Sequence, residues 1–199
     1  MCGRFFIPEM DDTPQDLAQL LSELELRLQI TSPGFRLKRG EICPGDTAAV
    51  IAPDRNRHPK AFLMQWGYRL GKQLVFNARS ETASSKPMFA SSMTDRRCLI
   101  PATAYFEWNK HAAGKPKYRF IPAGQQTFYM ACIYRYEEGN SRPVFTVLTR
   151  EAEGDMAEIH DRMPVIVPPY LLSAWLDRDA DPQEILSQAM LDILWRLAQ

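Results

Sequence analysis

Several features are scarce in this chain. It has four cysteines, Cys2, Cys43, Cys98 and Cys132, and none belongs to a C-x-x-C pair. Their wide, irregular spacing argues against a zinc ribbon and against a disulfide-stapled secreted domain. The three histidines, His58, His111 and His160, stand apart without a helical ligand pair, so no structural metal is expected. No stretch reaches the ~20 uninterrupted apolar residues of a membrane span. No basic segment followed by an apolar run opens the sequence, so no secretory signal is visible. The expectation is a cytoplasmic protein, nucleoid-associated if bacterial. No repeat, low-complexity tract or clear linker divides the 199 residues, which are read as one domain, 1–199.

Net charge is lacking too, which at first disfavours a nucleic-acid partner, but its distribution is uneven. Residues 1–35 carry two basic and six acidic side chains, residues 36–119 carry sixteen and six, and residues 120–199 carry six and twelve. A basic middle between acidic ends can build one positive face on a neutral protein, or can simply be a set of solvated loops.

What is present is a 45% hydrophobic composition, enough for a substantial core. Thr13-Pro14-Gln15-Asp16 reads as a helix start, with a capping Thr, a first-turn Pro and an acid. Leu17, Leu20, Leu21, Leu24 and Leu28 follow at helical spacing, so a scaffold helix is predicted over 14–28. Strands are predicted over 47–52, 61–66, 99–108, 118–121, 127–134 and 144–149, from short runs rich in aromatic and β-branched residues. Short helices are expected near 153–159, 169–176 and 182–197. Fifteen prolines punctuate these elements. The pattern points to an α+β fold, mostly antiparallel sheet with flanking helices.

Cys2 is the sharpest chemical feature. A small second residue permits loss of Met1, which leaves an amine and a thiol on adjacent carbons. In model peptides these titrate near ~8 and ~8.5, so modest tuning makes either a nucleophile at neutral pH. Against an aldehyde the amine forms a Schiff base and the thiol then closes a five-membered thiazolidine, a second step no lysine can perform. Cys2 could equally be an ordinary residue after the initiator.

Three other segments carry polar groups in apolar company. Asn77 ends the strand-like Leu74-Val75-Phe76, where its amide can hold a substrate oxygen or an amine, or order the next turn. Glu107 lies within Ala104-Tyr105-Phe106-Glu107-Trp108. Buried there, its pKa rises toward that of a general acid/base; facing outward, it is an ordinary strand residue. His160 stands beside Asp161 and Arg162, ahead of Val165-Ile166-Val167, either as a catalyst or as a structural hydrogen-bonding group.

Taken together, Met1-Cys2-Gly3-Arg4-Phe5, Asn77-Ala78-Arg79-Ser80-Glu81-Thr82, Arg97-Cys98-Leu99-Ile100-Pro101 with Tyr105-Phe106-Glu107-Trp108, and His160-Asp161-Arg162-Met163-Pro164 resemble the ordered motifs of the SOS response-associated peptidase family. Its members are also called abasic-site processing proteins. The resemblance runs from residue 1 to about residue 168.

It implies a β pseudo-barrel, no metal and no organic cofactor, and a monomer whose partner is single-stranded DNA containing abasic sites. Cys2 would be the nucleophile, Asn77 would orient its amine and the sugar, Glu107 would move protons, and His160 would hold the sugar in its open form. Arg4, Arg79 and Arg162 would bind phosphates, and Pro44 and Trp66 would lie near the DNA. Trp66, Tyr68, Arg69, Lys72 and Arg79 interleave rings with cations, and bases stack on such rings for about 1–3 kcal/mol each, although a lone strand Trp can also be core. Weak lyase activity at the same amine, a cysteine (auto)peptidase using Cys2, and a non-covalent reader of modified DNA are the further readings. The sequence departs from the family pattern at Ala104 (often Gly), at Ala90 (often Arg), in the short loop from Trp66 to Asn77, and in Met190–Gln199, where the family's C-terminal strand is not recognisable.

Overall fold

A computed structural model describes residues 2–9, 13–31, 34 and 36–198. Met1 and the Asp16 side chain, the acid expected in the first helical turn, lie outside the described residues. In order, the chain forms β1 (Phe5–Ile7), α1 (Gln15–Thr31), β2 (Gly40–Ile42), β3 (Thr47–Pro53), β4 (Pro59–Trp66), β5 (Tyr68–Leu70), β6 (Gln73–Val75) and β7 (Asn77–Arg79). Helices α2 (Ser80–Ala83) and α3 (Pro87–Asp95) lead into β8 (Arg97–Ala102), β9 (Ala104–Trp108), β10 (Lys117–Pro122), β11 (Phe128–Arg135) and β12 (Val144–Glu151). Then come α4 (Met156–Ile159), β13 (Arg162–Pro164), β14 (Ile166–Val167), a 3-10 turn (Pro169–Leu171), α5 (Leu172–Leu176), α6 (Pro182–Ser187) and β15 (Ile193–Leu197).

The larger sheet runs β13-β12-β4-β3-β8-β11-β14, with β7 also on β12. Because β12 pairs with β11 as well as β4, the strands β12, β4, β3, β8 and β11 close into a ring of pairings. Closure leaves these five strands without a free edge. The ring is antiparallel except between β12 and β4, which run parallel at Val144↔Gln65 and Phe145↔Trp66. A second sheet runs β15-β10-β9-β1-β2 and is antiparallel throughout. This is the α+β, mostly antiparallel architecture that the sequence pattern predicts.

Strands β3, β8 and β11 are covered on both faces over most of their length, which explains why their sequences read as largely apolar runs. In β8, Cys98, Ile100 and Ala102 face one core cluster, and Leu99 faces the other. In β11, Phe128, Met130 and Cys132 face the first cluster, while Ala131 and Ile133 join the second. The first core also takes Leu17, Leu21 and Leu24 of α1, the stripe that the leucine spacing predicts. The second takes Phe89 and Met93 of α3, Trp175 of α5 and Ile185 of α6. Arg97 is buried where these helices meet. Its guanidinium donates to the carbonyls of Met93 (3.1 Å) and Trp175 (2.8 Å), near the ends of α3 and α5, and of Ala180 (3.1 Å) in the turn before α6.

Three predicted elements differ. The run 99–108 is two strands: the chain bends at Thr103 and passes from the ring to the second sheet. Thr103 N–H there donates to the Phe6 carbonyl at 3.0 Å, a bond that only the crossing geometry offers. The helix predicted over 182–197 ends at Ser187, and Ile193–Leu197 is a strand. Pairing from Tyr118↔Leu197 to Pro122↔Ile193 outweighs the local helical pattern, and it gives Met190–Gln199 the C-terminal strand that its sequence does not reveal. The helix expected near 153–159 is shorter, the single turn Met156–Ile159.

Candidate active site

Cys2 lies just ahead of β1 and is wholly buried. Strand β1 runs beside β9 in antiparallel register (Phe5↔Tyr105), which carries the residues before β1 past Glu107. Asn77 opens β7, which lies parallel to β12 at Val147↔Asn77. Its Nδ2 donates to the Cys2 carbonyl at 2.9 Å. Asn77 Oδ1 is buried and accepts no hydrogen bond among the described residues. His160 follows α4, and its Nε2 stands 3.8 Å from Glu107 Oε2. The four residues singled out in distant motifs are thus drawn toward one buried place.

Alternation along β9 decides which way the carboxylate faces. Tyr105 points into the core, stacked on Phe120 with centroids 4.9 Å apart. Glu107, two residues on, takes the same side and is 3% exposed. Phe106 faces the other way, edge-on to Phe6 and beneath the Lys117 ammonium. The buried orientation therefore holds, rather than the outward one.

Burial sets the protonation states. It pushes the Glu107 carboxyl up from 4.5 to about 7, so acid and base forms coexist near neutrality. It pushes His160 down from 6.5 to about 4, so the imidazole is neutral. His160 Nδ1 receives the backbone N–H of Arg162 at 3.0 Å. It also lies 2.9 Å from Asp161 Oδ1 and 3.2 Å from the Arg162 carbonyl oxygen, contacts that would need a proton on the same nitrogen. A backbone N–H can only donate, whereas the carbonyl contact is the longer one and the Asp161 side chain is 76% exposed to solvent, so Nδ1 is assigned as the acceptor. The proton then sits on Nε2, on the side of Glu107. The Cys2 thiol is raised by burial, with the nearby Glu107 charge adding to the effect. It is held as the thiol rather than the thiolate, a tighter constraint than the free-peptide reading of Cys2 anticipates.

The residues expected near DNA fall into different places. Arg79 is exposed. Arg4 bonds Glu41 at 2.9 Å and lies over the Trp108 ring at 5.3 Å. Pro44 is half-buried in the turn after β2. Arg162 is mostly buried and makes a two-pronged pair with Glu81 at 2.8 and 2.9 Å, so its charge is already met. Trp66 is wholly buried, stacked on Phe145 with centroids 6.0 Å apart, its Nε1 donating to the Phe76 carbonyl at 2.8 Å. Tyr68 is equally buried. The expected stacking of bases on these two rings is therefore corrected: both are core. Gly67 between them has φ +116°, and a Cβ there would come within 2.4 Å of Leu74, so only glycine allows β4 to pass into β5.

Glu81 is the residue whose role the sequence did not disclose. It sits inside the Asn77–Thr82 motif, yet only the fold shows it gripping Arg162, whose backbone fixes the His160 tautomer. Among the described residues, no group of three or more His, Cys, Asp or Glu is placed to hold a metal ion, and no helix is long and apolar enough to cross a membrane.

Known proteins resemble this chain in sequence and in fold. The SOS response associated peptidase (SRAP) family matches residues 1–194. The abasic site processing protein YedK of Escherichia coli is 29% identical over 189 residues, covering 92% of this chain and 83% of its own. The abasic site processing protein YoqW of Bacillus subtilis is 30% identical over 205 residues, covering 94% and 85%. Among solved structures, a Bacteroides thetaiotaomicron protein superposes with TM-score 0.77 at 18% identity, covering 100% of this chain and 92% of its own. A phage-related protein of Bordetella bronchiseptica gives 0.74 at 24% identity, covering 100% and 94%. With the family matched across nearly the whole sequence, and the fold shared, the chain belongs to the SOS response associated peptidase family.

Proposed function

We propose that this protein captures abasic sites in single-stranded DNA through Cys2, once Met1 has been removed. The relatives' names supply the substrate class. The observation that carries the reading is the convergence on Cys2: Asn77 holds its carbonyl at 2.9 Å, with Glu107 and His160 buried nearby.

The amine of Cys2 attacks the C1′ aldehyde of the open-chain sugar, forming a C–N bond and then expelling the oxygen as water to leave an imine. The thiol adds across that C=N bond, sulfur to carbon and its proton to nitrogen, closing the thiazolidine. The net change is loss of one water. Because burial holds the thiol protonated, the amine acts first and the thiol second. Glu107, near 7, gives a proton to the departing hydroxyl and receives one from the attacking amine. His160, neutral with its proton on Nε2, donates to a sugar hydroxyl and favours the open form. Asn77 Oδ1 receives the amine N–H. The imine shared by both steps also permits slow β-elimination, a weak lyase activity. An external peptidase would need a thiolate, which burial opposes.

The test is intact-protein mass spectrometry, before and after incubation with a single-stranded oligonucleotide bearing one abasic site. The expected adduct is one oligonucleotide less one water, stable to denaturation and absent in Cys2→Ser. No adduct from protein already lacking Met1 would overturn the proposal.

A further inference from the structure

The outer face of the second sheet carries an unusual charge pairing. Arg119 of β10 and Arg196 of β15 are direct cross-strand partners. Like charges set opposite each other repel, and sheets ordinarily avoid the arrangement. Among the described residues no carboxylate relieves it: Glu41, the acid lining the same cleft, is engaged by Arg4 and Lys117. Arg119 Nε is buried and donates to nothing among the described residues. The cleft has a volume of about 320 Å³ and is walled by Phe6, Phe106 and Leu197. Two guanidiniums and an ammonium therefore stand round a pocket with one neutralised acid. The fold keeps them there through the register that pairs β15 with β10, in which Tyr118 and Trp195 also meet edge-on with centroids 5.4 Å apart.

We propose that Arg119, Arg196 and Lys117 form a cradle for a backbone phosphate of the DNA strand flanking the abasic site. The identity of the ligand as DNA rests on the proposed function; the cradle itself rests on the cation pairing. A guanidinium matches the geometry of a phosphate diester through paired N–H donors, and an anion between the two arginines replaces repulsion with attraction. The route from the Cys2 site is short. Arg4, two residues after Cys2, lies over Trp108 and shares Glu41 with Lys117. From β1 through β9 and β10 to β15 is three strand spacings, about 14 Å, a span of a few nucleotides. Burial, and then the Arg196 charge, lower the Arg119 pKa, and its guanidinium lies 5.7 Å over the Phe6 ring with no carboxylate paired to it among the described residues.

The experiment measures binding of an undamaged 20-nucleotide single strand by fluorescence anisotropy across a salt series. It compares the wild type, Arg119→Gln/Arg196→Gln and Arg196→Lys. Removing both charges is expected to weaken binding about tenfold near 0.1 M salt, and to reduce the slope of log affinity against log salt by about 0.7, the value for one phosphate contact on single strands. Arg196→Lys keeps the wild-type slope. The double variant also slows covalent capture of a 20-nucleotide abasic strand at limiting protein, but not of a 5-nucleotide one. Unchanged affinity and slope in a double variant with wild-type circular dichroism would overturn the cradle. The exposed Arg196→Gln alone, with a smaller loss of affinity in the same direction, covers the case in which the double variant misfolds. Stabilisation of the wild type by inorganic phosphate, lost in the double variant while strand binding stays the same, would assign the pocket to free phosphate and overturn the DNA reading. If wild type forms no adduct yet the slope difference persists, the capture chemistry fails and the cradle stands.

Discussion

Replacing Glu107 with Gln isolates the cost of keeping a carboxyl in the core. In the folded protein its pKa stands at about 7, against an ordinary 4.5, because burial penalises the charged form. The folded state therefore holds its proton more tightly than the unfolded chain, and stability falls as pH rises between those two values. At about 1.4 kcal/mol for each pH unit, the loss reaches about 3 kcal/mol above pH 7. Gln has nearly the same shape and never ionises. Glu107→Gln is therefore expected to match the wild type near pH 4, then to gain on it through pH 4.5–7 and level off about 3 kcal/mol more stable at pH 8. His160, at about 4, titrates below the window in which Glu107 ionises, so it adds little to the difference there. Urea denaturation at half-unit pH steps from 4 to 8 measures the curve. A stability difference that stays flat across that range would refute the assignment of a burial-raised carboxyl. The same variant should cross-link abasic DNA at least tenfold more slowly at pH 7, since it can neither give nor take a proton.

Three further outcomes follow from the site and its surroundings. Cys2→Ala keeps an amine but no thiol, so it should form a labile imine that borohydride traps; a stable adduct without reduction would exclude the thiazolidine. Glu81→Gln removes the charge facing Arg162, and with Glu81 45% exposed the expected loss is about 1–2 kcal/mol in urea unfolding. That change should also shift the His160 imidazole nitrogen resonances, which a remote structural effect would leave in place. Trp66→Ala should cost about 3–5 kcal/mol of stability, while Trp66→Phe leaves single-strand affinity unchanged by anisotropy, as befits a core ring.

The leucine stripe of α1 was legible because one face of a helix repeats at a fixed spacing and here meets one core. The ring strands were legible as apolar runs, but their closure was not. The parallel contact between β12 and β4 joins segments far apart in the chain, and nothing local encodes it. Strand β15 was read as helix because its pairing with β10, not its own composition, decides its form. At the candidate site, the motifs singled out Cys2, Asn77, Glu107 and His160, which the fold draws together. Sequence could not say that Trp66 faces inward, since a strand Trp may take either side until the covering layers are known. Nor could it give the tautomer of His160, which depends on a backbone N–H presented by the turn into β13.

The strict alternation along β9 makes this segment intolerant of insertions and deletions. Glu107 faces the Cys2 side while Phe106, also buried, packs on the opposite face against Phe6 and Lys117. Losing or gaining one residue between Ala104 and Glu107 would exchange the two faces at a stroke. The carboxylate would be carried to the opposite face and a phenyl ring driven toward Cys2. Length variation between related proteins should therefore collect in the loop between β9 and β10, where residues 109–116 connect the strands without choosing a side.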